Sequence, residues 1–315
     1  MDSILQALLP IVALVALGHQ MRSRRWVDDG FWLPAERATL FIFFPALLVV
    51  SLARAKLTGL PVAGIMAAEG IAVLVLLGVG MVAATRLARP PFHLDGPAFT
   101  SLLQCATRPN TYVGLAASAG LWGTEGVALV AICTAMVVPL VNLVFVPIML
   151  RWGRSDTGAA FGWRTTLVPI ATNPLIIACL IGIGLNLSGL TLTQPVATLL
   201  DILAGASLPL GLLAVGAGLS LRTLRSAGTA VALAIAAKMA ALPLLVLIVG
   251  RVVGLDGLTL TVCVVYAALP AAPVSYVFAR QMGGDAPLVA TMLSAQTLAA
   301  GVLMPLWIWL VGSGP

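Results

Sequence analysis

The chain has 315 residues, of which 60% are hydrophobic and 9% charged, with a mean hydropathy of +1.08 and a formal net charge of +6. A soluble domain carries about 45–50% apolar and about 25% charged residues, and 17 Lys or Arg with 11 Asp or Glu cannot coat a core of this size, so a soluble globular protein is excluded. Nor does the positive balance point to nucleic acid: the basic residues are scattered over short segments, form no dense patch, and suit anchoring to an anionic leaflet of the lipid bilayer.

The first apolar run, from Ile4 to Gly18, has the length of a signal-peptide core but the wrong flanks, with Asp2 before it and Arg22, Arg24 and Arg25 after it. It reads as a retained first span. Apolar runs divided by Gly, Pro and charged residues then predict ten spans, near residues 3–19, 31–52, 61–86, 97–120, 125–150, 165–187, 195–220, 227–250, 256–280 and 286–311. The fold class is an all-α membrane protein with no room for a sizeable soluble domain. Cys105, Cys133, Cys179 and Cys263 all fall in apolar runs without paired metal-ligand spacing, so they read as small core residues, and no metal or cofactor is expected.

Orientation follows from Lys and Arg. Segments after odd-numbered spans hold Arg22, Arg24, Arg25, Arg37, Arg86, Arg89, Arg151, Arg154, Arg164, Arg222, Arg225 and Arg280, whereas the opposite side holds only Arg54, Lys56 and Arg251. Both termini are therefore expected outside. Trp26, Trp32, Trp122, Trp152, Trp163, Trp307 and Trp309 lie near span ends, as an interfacial belt requires.

Self-comparison finds matches at an offset of 164 residues. Pro10 meets Pro174, Gly18 meets Gly182, Pro45 meets Pro209, Pro109 meets Pro273, Tyr112 meets Tyr276, Val113 meets Val277 and Gly120 meets Gly284. These pairs fall on the first and sixth, second and seventh, and fourth and ninth spans. With five spans per half, the second half enters the membrane from the opposite side, so residues 1–155 and 156–315 are predicted to form two inverted five-helix repeats.

The densest polar cluster at membrane depth runs from Gln104 to Tyr112 in the fourth span, and Pro109 within it removes a backbone donor, so a break is predicted there. In the ninth span, Pro270 and Pro273 predict a second break. Two interrupted helices at equivalent positions point to a binding site near the bilayer midplane, where unwound amides and half-helix N-termini receive an anion. Arg108 is the expected anion contact, against the alternative of a structural ion pair; Asn110 and Thr107 either orient substrate or cap the break, and Tyr112 and Tyr276 are substrate walls or packing residues. Ser275 beside Pro273 completes this group. Glu69 and Lys238, in the third and eighth spans, form either a proton-exchanging pair or a structural one; Asn173, Gln296 and Thr297 are further coupling candidates, Asn173 being equally a helix-capping residue.

At these positions the chain resembles the auxin efflux carrier family, which includes the plant PIN proteins and bacterial carboxylate permeases. The segments that carry the likeness are Arg108–Pro109–Asn110–Thr111 with Gly114, Asn173–Pro174–Leu175–Ile176 with Gly182, Leu208–Pro209–Leu210 with Gly216, and Tyr276–Val277–Phe278–Ala279–Arg280 leading to Gly283–Gly284–Asp285. The resemblance implies a fold related to bile-acid/sodium symporters, with a scaffold from spans 1, 2, 6 and 7 and a transport domain from spans 3–5 and 8–10. It further implies a substrate site at the crossing of spans 4 and 9, elevator-like alternating access, Asn110 as the family's fourth-span asparagine, and a homodimer through the scaffold spans. Two departures stand out. Pro109 separates Arg108 from Asn110, and no long loop lies between Arg151 and Arg164.

The expectation is a secondary transporter for a small organic anion, auxin-like or a malate- or malonate-like carboxylate, in a bacterial cytoplasmic membrane, with H+ as coupling ion ahead of Na+. A sodium-coupled bile-acid-type symporter and a non-transporting ligand sensor are the alternatives. Enzyme function is not expected, because His19 and His93 lie outside the predicted spans' interiors and no His-Glu-x-x-His motif occurs.

Overall fold

The computed structural model describes residues 2–55, 59–89, 93–152, 168, 171–190, 192–220, 224 and 228–312. Lys56, Arg154, Trp163, Arg164, Arg222 and Arg225 lie outside the described residues, so the parts of the orientation argument and aromatic belt that use them do too. Among the described residues the chain is helical, with one isolated antiparallel bridge. The helices are α1 (Asp2–Ser23), α2 (Trp32–Ala38), α3 (Phe44–Arg54), α4 (Val62–Leu87), α5 (Gly96–Thr107), α6 (Thr111–Trp152), α7 (Pro174–Ser188), α8 (Gln194–Ala217), α9 (Thr229–Ala236), α10 (Leu242–Val252), α11 (Gly257–Ala267), α12 (Val274–Met282) and α13 (Ala286–Gly312). A π-helical turn, Thr39–Phe43, joins α2 to α3, and another, Ala237–Ala241, joins α9 to α10.

Six described stretches are long and apolar enough to cross a bilayer: Asp29–Arg54, Val62–Leu87, Thr111–Met149, Gln194–Ala217, Thr229–Val252 and Ala286–Gly312. Pro174–Ser188 and Gly257–Ala267 are shorter apolar helices. Their shortness has a local cause. Asn173 accepts a hydrogen bond from Leu175 N at 2.9 Å with Pro174 at the first helical position, so α7 starts there, and residues 165–167 and 169–170 of the expected sixth span lie outside the described residues. The helix α11 stops before the proline pair that was expected to break it. The run α6 is two helices joined at Gly123, whose φ of 60° and ψ of −144° lie in a region open essentially to glycine alone, in the gap expected between the fourth and fifth spans.

The chain divides into two compact units. The first comprises Met1–Val62, Thr111–Ala135 and Pro169–Gly218, so the start of α6 groups with α1–α3, α7 and α8. Its helices pack through glycine: Gly18 of α1 lies against the backbone of Leu213, Gly216 of α8 against Val15, and a Cβ on Gly182 of α7 would lie 2.8 Å from Leu52 Cβ and 3.1 Å from Val49 O. Without an aqueous driving force, such close backbone approach supplies the van der Waals energy that holds membrane helices together. Helix ends are closed across helices. Arg22 donates from Nη1 to Ala217 O at 2.9 Å, and Asn186 donates from Nδ2 to the carbonyls of Leu52, Ala53 and Ala55 at 3.0, 3.1 and 2.7 Å. Arg54 and Asp201 form a two-pronged ion pair, 2.9 Å in each prong, with both side chains about half exposed.

The second unit comprises Ala63–Asn110, Met136–Val168 and Leu219–Pro315. Asp95 caps α5 by accepting from Ala98 N at 3.0 Å, and Asp285 caps α13 by accepting from Leu288 N at 3.0 Å. The helix α12 ends at Gly283, whose φ of 74° makes the left-handed C-cap. All four cysteines are buried thiols outside any disulfide.

Candidate functional site

Buried backbone groups must be paired, and a proline leaves the carbonyl four residues before it without its helical donor. In the second unit α5 ends at Thr107 and Arg108 turns extended (φ −77°, ψ 114°), as expected from Pro109. The segment after α11 also leaves the helix, and the two extended stretches run against each other. Pro109 faces Ala271 in an antiparallel bridge, Asn110 N donates to Pro270 O at 2.8 Å, and Ala272 N donates to Arg108 O at 3.2 Å. Each break thus supplies the other with one backbone hydrogen bond.

Around this crossing the second unit buries an unusual set of polar groups. Arg108 is 6% exposed, Asn110 1%, and Thr107 and Ser275 are fully buried. The Arg108 guanidinium sits over the Phe278 ring, 4.3 Å from its centroid, with the Phe145 ring centroid at 5.7 Å. Among the described residues neither Nε nor Nη2 of Arg108 finds a hydrogen-bond partner, and nor do Ser275 Oγ and Gln104 Oε1. The rings stabilise a cation but accept none of its N–H bonds. Burying a guanidinium with two of its nitrogens unmatched carries a desolvation cost, and it leaves these two donors available to an acceptor.

The other expected site residues divide. Thr107 Oγ1 donates to Leu103 O at 2.9 Å within its own helix, which leaves its lone pairs as acceptors only. Tyr112 belongs to the first unit, where its ring stacks on Phe44 at 4.8 Å and 8° between planes; this is the packing alternative. Tyr276 is 37% exposed at the start of α12. Pro270 and Pro273 bracket the second break. Glu69 and Lys238 are both 1% exposed in the second unit, and Lys238, carried on the π turn, lies within electrostatic reach of Glu69 and Cys105.

Asn173 lies in the first unit and caps α7. Thr297 Oγ1 bonds back to Leu293 O at 2.7 Å. Gln296 is fully buried and uses its amide entirely on backbone: Oε1 accepts from Ala271 N at 2.9 Å, while Nε2 donates to Cys105 O at 3.1 Å and Ala234 O at 3.0 Å. Sequence reasoning missed Phe145, Phe278 and Gln104. Nothing in the spacing of the two phenylalanines marks them, and Gln104 lay inside the polar cluster unweighted.

Comparison with known proteins adds the family. The pattern of the family described as membrane transport protein matches residues 3–308. The chain is 26% identical over 311 residues to an uncharacterized transporter of Methanothermobacter thermautotrophicus, with 96% of each chain covered. The match runs from α1 through the crossing to α13, across segments whose apolarity places the protein within a membrane. This integral membrane protein belongs to the membrane transport protein family, the auxin efflux carriers that its proline and glycine segments resemble.

Proposed function

We propose that the protein is a secondary active transporter that moves a small organic anion, an auxin-like or malate- or malonate-like carboxylate, by alternating access. The observation that carries this reading is Arg108: a buried guanidinium with two donors unpartnered, beside a crossing of two broken helices. A carboxylate accepts from an arginine fork in two parallel bonds, and Asn110 and Ser275 add polar contacts at the same crossing.

Two pairs of contacts in the first unit support ten spans in two inverted five-helix repeats. Arg22 holds Ala217 O, and adding 164 to the first number while subtracting it from the second gives Asn186 and Ala53, which are also bonded. Gly18 against Leu213 likewise maps onto Gly182 against Val49. Contacts exchanged by one shift are what a two-fold relation between halves produces. In this reading spans 1, 2, 6 and 7 form the scaffold and the unit bearing the crossing carries substrate in an elevator-type movement. Residues 111–135 group with the first unit, so the dividing line falls inside the fourth and fifth spans. Glu69 and Lys238 exchange the coupling proton, both termini face outward from the cytoplasmic membrane, and the scaffold spans form a homodimer.

Purified protein in liposomes, given labelled malate or labelled indole-3-acetate with imposed pH or sodium gradients, tests the proposal. Flux of either anion driven by a pH gradient and lost in Arg108→Ala is the expected result. Sodium-driven flux without pH dependence would remove the proton role of Glu69 and Lys238 in favour of a sodium-coupled symporter. Binding without flux would make the protein a sensor.

A further inference from the structure

Prolines in the second unit free two carbonyls that α13 answers with side chains. Pro109 has no N–H for Cys105 O, and Gln296 Nε2 takes that carbonyl at 3.1 Å. Pro243 has none for Met239 O, and Trp307 Nε1 takes that one at 2.8 Å. Gln296 goes further. Its other N–H reaches Ala234 O at 3.0 Å, in the last turn of α9 before the π turn that carries Lys238, a carbonyl that also accepts from Ala237 N. Its Oε1 accepts from Ala271 N, inside the second break. One fully buried amide therefore joins three pieces of backbone: the break before Arg108, the break opposite it, and the end of α9 that leads into the π turn of Lys238.

We propose that Gln296 is the positioning residue of the crossing, coupling the geometry of the Arg108 segment to the π turn that bears Lys238. It touches no substrate and acts through Cys105 O, Ala271 N and Ala234 O. A carboxamide is suited to this role because it alone, among side chains of its length, offers two donors and an acceptor without charge. Methionine has its length and neither donor, whereas glutamate keeps the acceptor for Ala271 N and cannot serve both carbonyls. The link to Lys238 rests on the transport reading above; the positioning of the crossing does not.

Cys105 is a native reporter, being fully buried and within the turn that Gln296 holds. In a background with Cys133, Cys179 and Cys263 replaced by alanine, N-ethylmaleimide alkylation of Cys105 in detergent should rise about tenfold in Gln296→Met and by a smaller factor in Gln296→Glu. Pro109→Ala restores a backbone N–H for Cys105 O, so in that background Gln296→Met should change the rate less than about twofold. A Gln296→Met rate within twofold of the parent, or an equal increase with and without Pro109, would overturn the proposal. If Gln296→Met does not fold, Gln296→Glu with and without Pro109→Ala decides by the same ratio.

For transport, Gln296→Met should raise the KM for labelled malate or indole-3-acetate about tenfold while Vmax changes less than threefold, with Gln296→Glu between it and wild type. Loss of Vmax at unchanged KM would refute the coupling to the Arg108 segment. If the wild type moves neither anion, the proposed function fails while the alkylation ratios still decide the role of Gln296.

Discussion

In the first unit the buried polar side chains among the described residues are hydroxyls: Thr39, Ser51, Ser118, Thr134 and Ser207. Thr39, Thr134 and Ser207 bond back to carbonyls of the preceding turn, a use that demands nothing of neighbouring helices. The ion pairs Arg22–Asp29 and Arg54–Asp201 stay at exposed ends. The second unit buries Glu69, Arg108 and Lys238 together with the amides of Gln104, Asn110 and Gln296. One unit thus packs α1, α3, α7 and α8 through glycine contacts, and the other accepts the cost of buried charge at two interrupted segments. Charge at membrane depth is expensive, and among the described residues the buried charges belong to the second unit.

The sharpest way to break this contrast is Arg108→Met. Exchange of an unpartnered buried cation for a hydrophobe of similar length should leave the melting temperature in detergent unchanged or higher. Uptake of carboxylate by liposomes should meanwhile fall about 100-fold, the size of a lost charged hydrogen-bonded pair. A large drop in melting temperature would instead make Arg108 a structural residue. In the first unit the opposite pattern is expected. Gly216→Val forces α8 off the carbonyl of Val15 and should cost about 1–3 kcal/mol, seen as a fall of several degrees in melting temperature, with uptake per folded molecule nearly intact.

A smaller effect sharpens the symmetry of the first unit. Arg22→Ala and Asn186→Ala each remove a side chain that closes a helix end and should each cost about 1 kcal/mol in thermal unfolding. Clearly unequal losses would argue that the two contacts are related by number alone. Smallest of all, Arg54→Ala removes an exposed ion pair, and neither melting temperature nor uptake should move beyond measurement error.

What could be read from the sequence was what a single residue enforces on its own backbone. Pro109 ends α5 by a local rule, and Asn173 was marked as a helix-capping residue beside Pro174 although the helix start there was not. The meeting of the two breaks was approachable because proline left its mark in both halves. Gln296 was visible as a polar residue in an apolar span, but its role depends on groups 25, 62 and 191 positions away, and only packing brings those together. Arg22 and Asn186 escaped the self-comparison for a different reason. They perform equivalent jobs with different chemistry, and a search for identical residues passes over such a pair.

The crossing also bears on how a chain of two halves differs from two copies of one half. Arg108 and Ala272 are separated by the repeat interval of 164 and are bonded directly through Ala272 N and Arg108 O. Two identical polypeptides meeting there would have to place the same side chain on both sides, and two buried guanidinium groups would repel each other with little water to weaken the force. Joining the halves in one gene lets each be altered alone. Arginine can then stand on one side and alanine on the other, so that the crossing holds one buried guanidinium and not two.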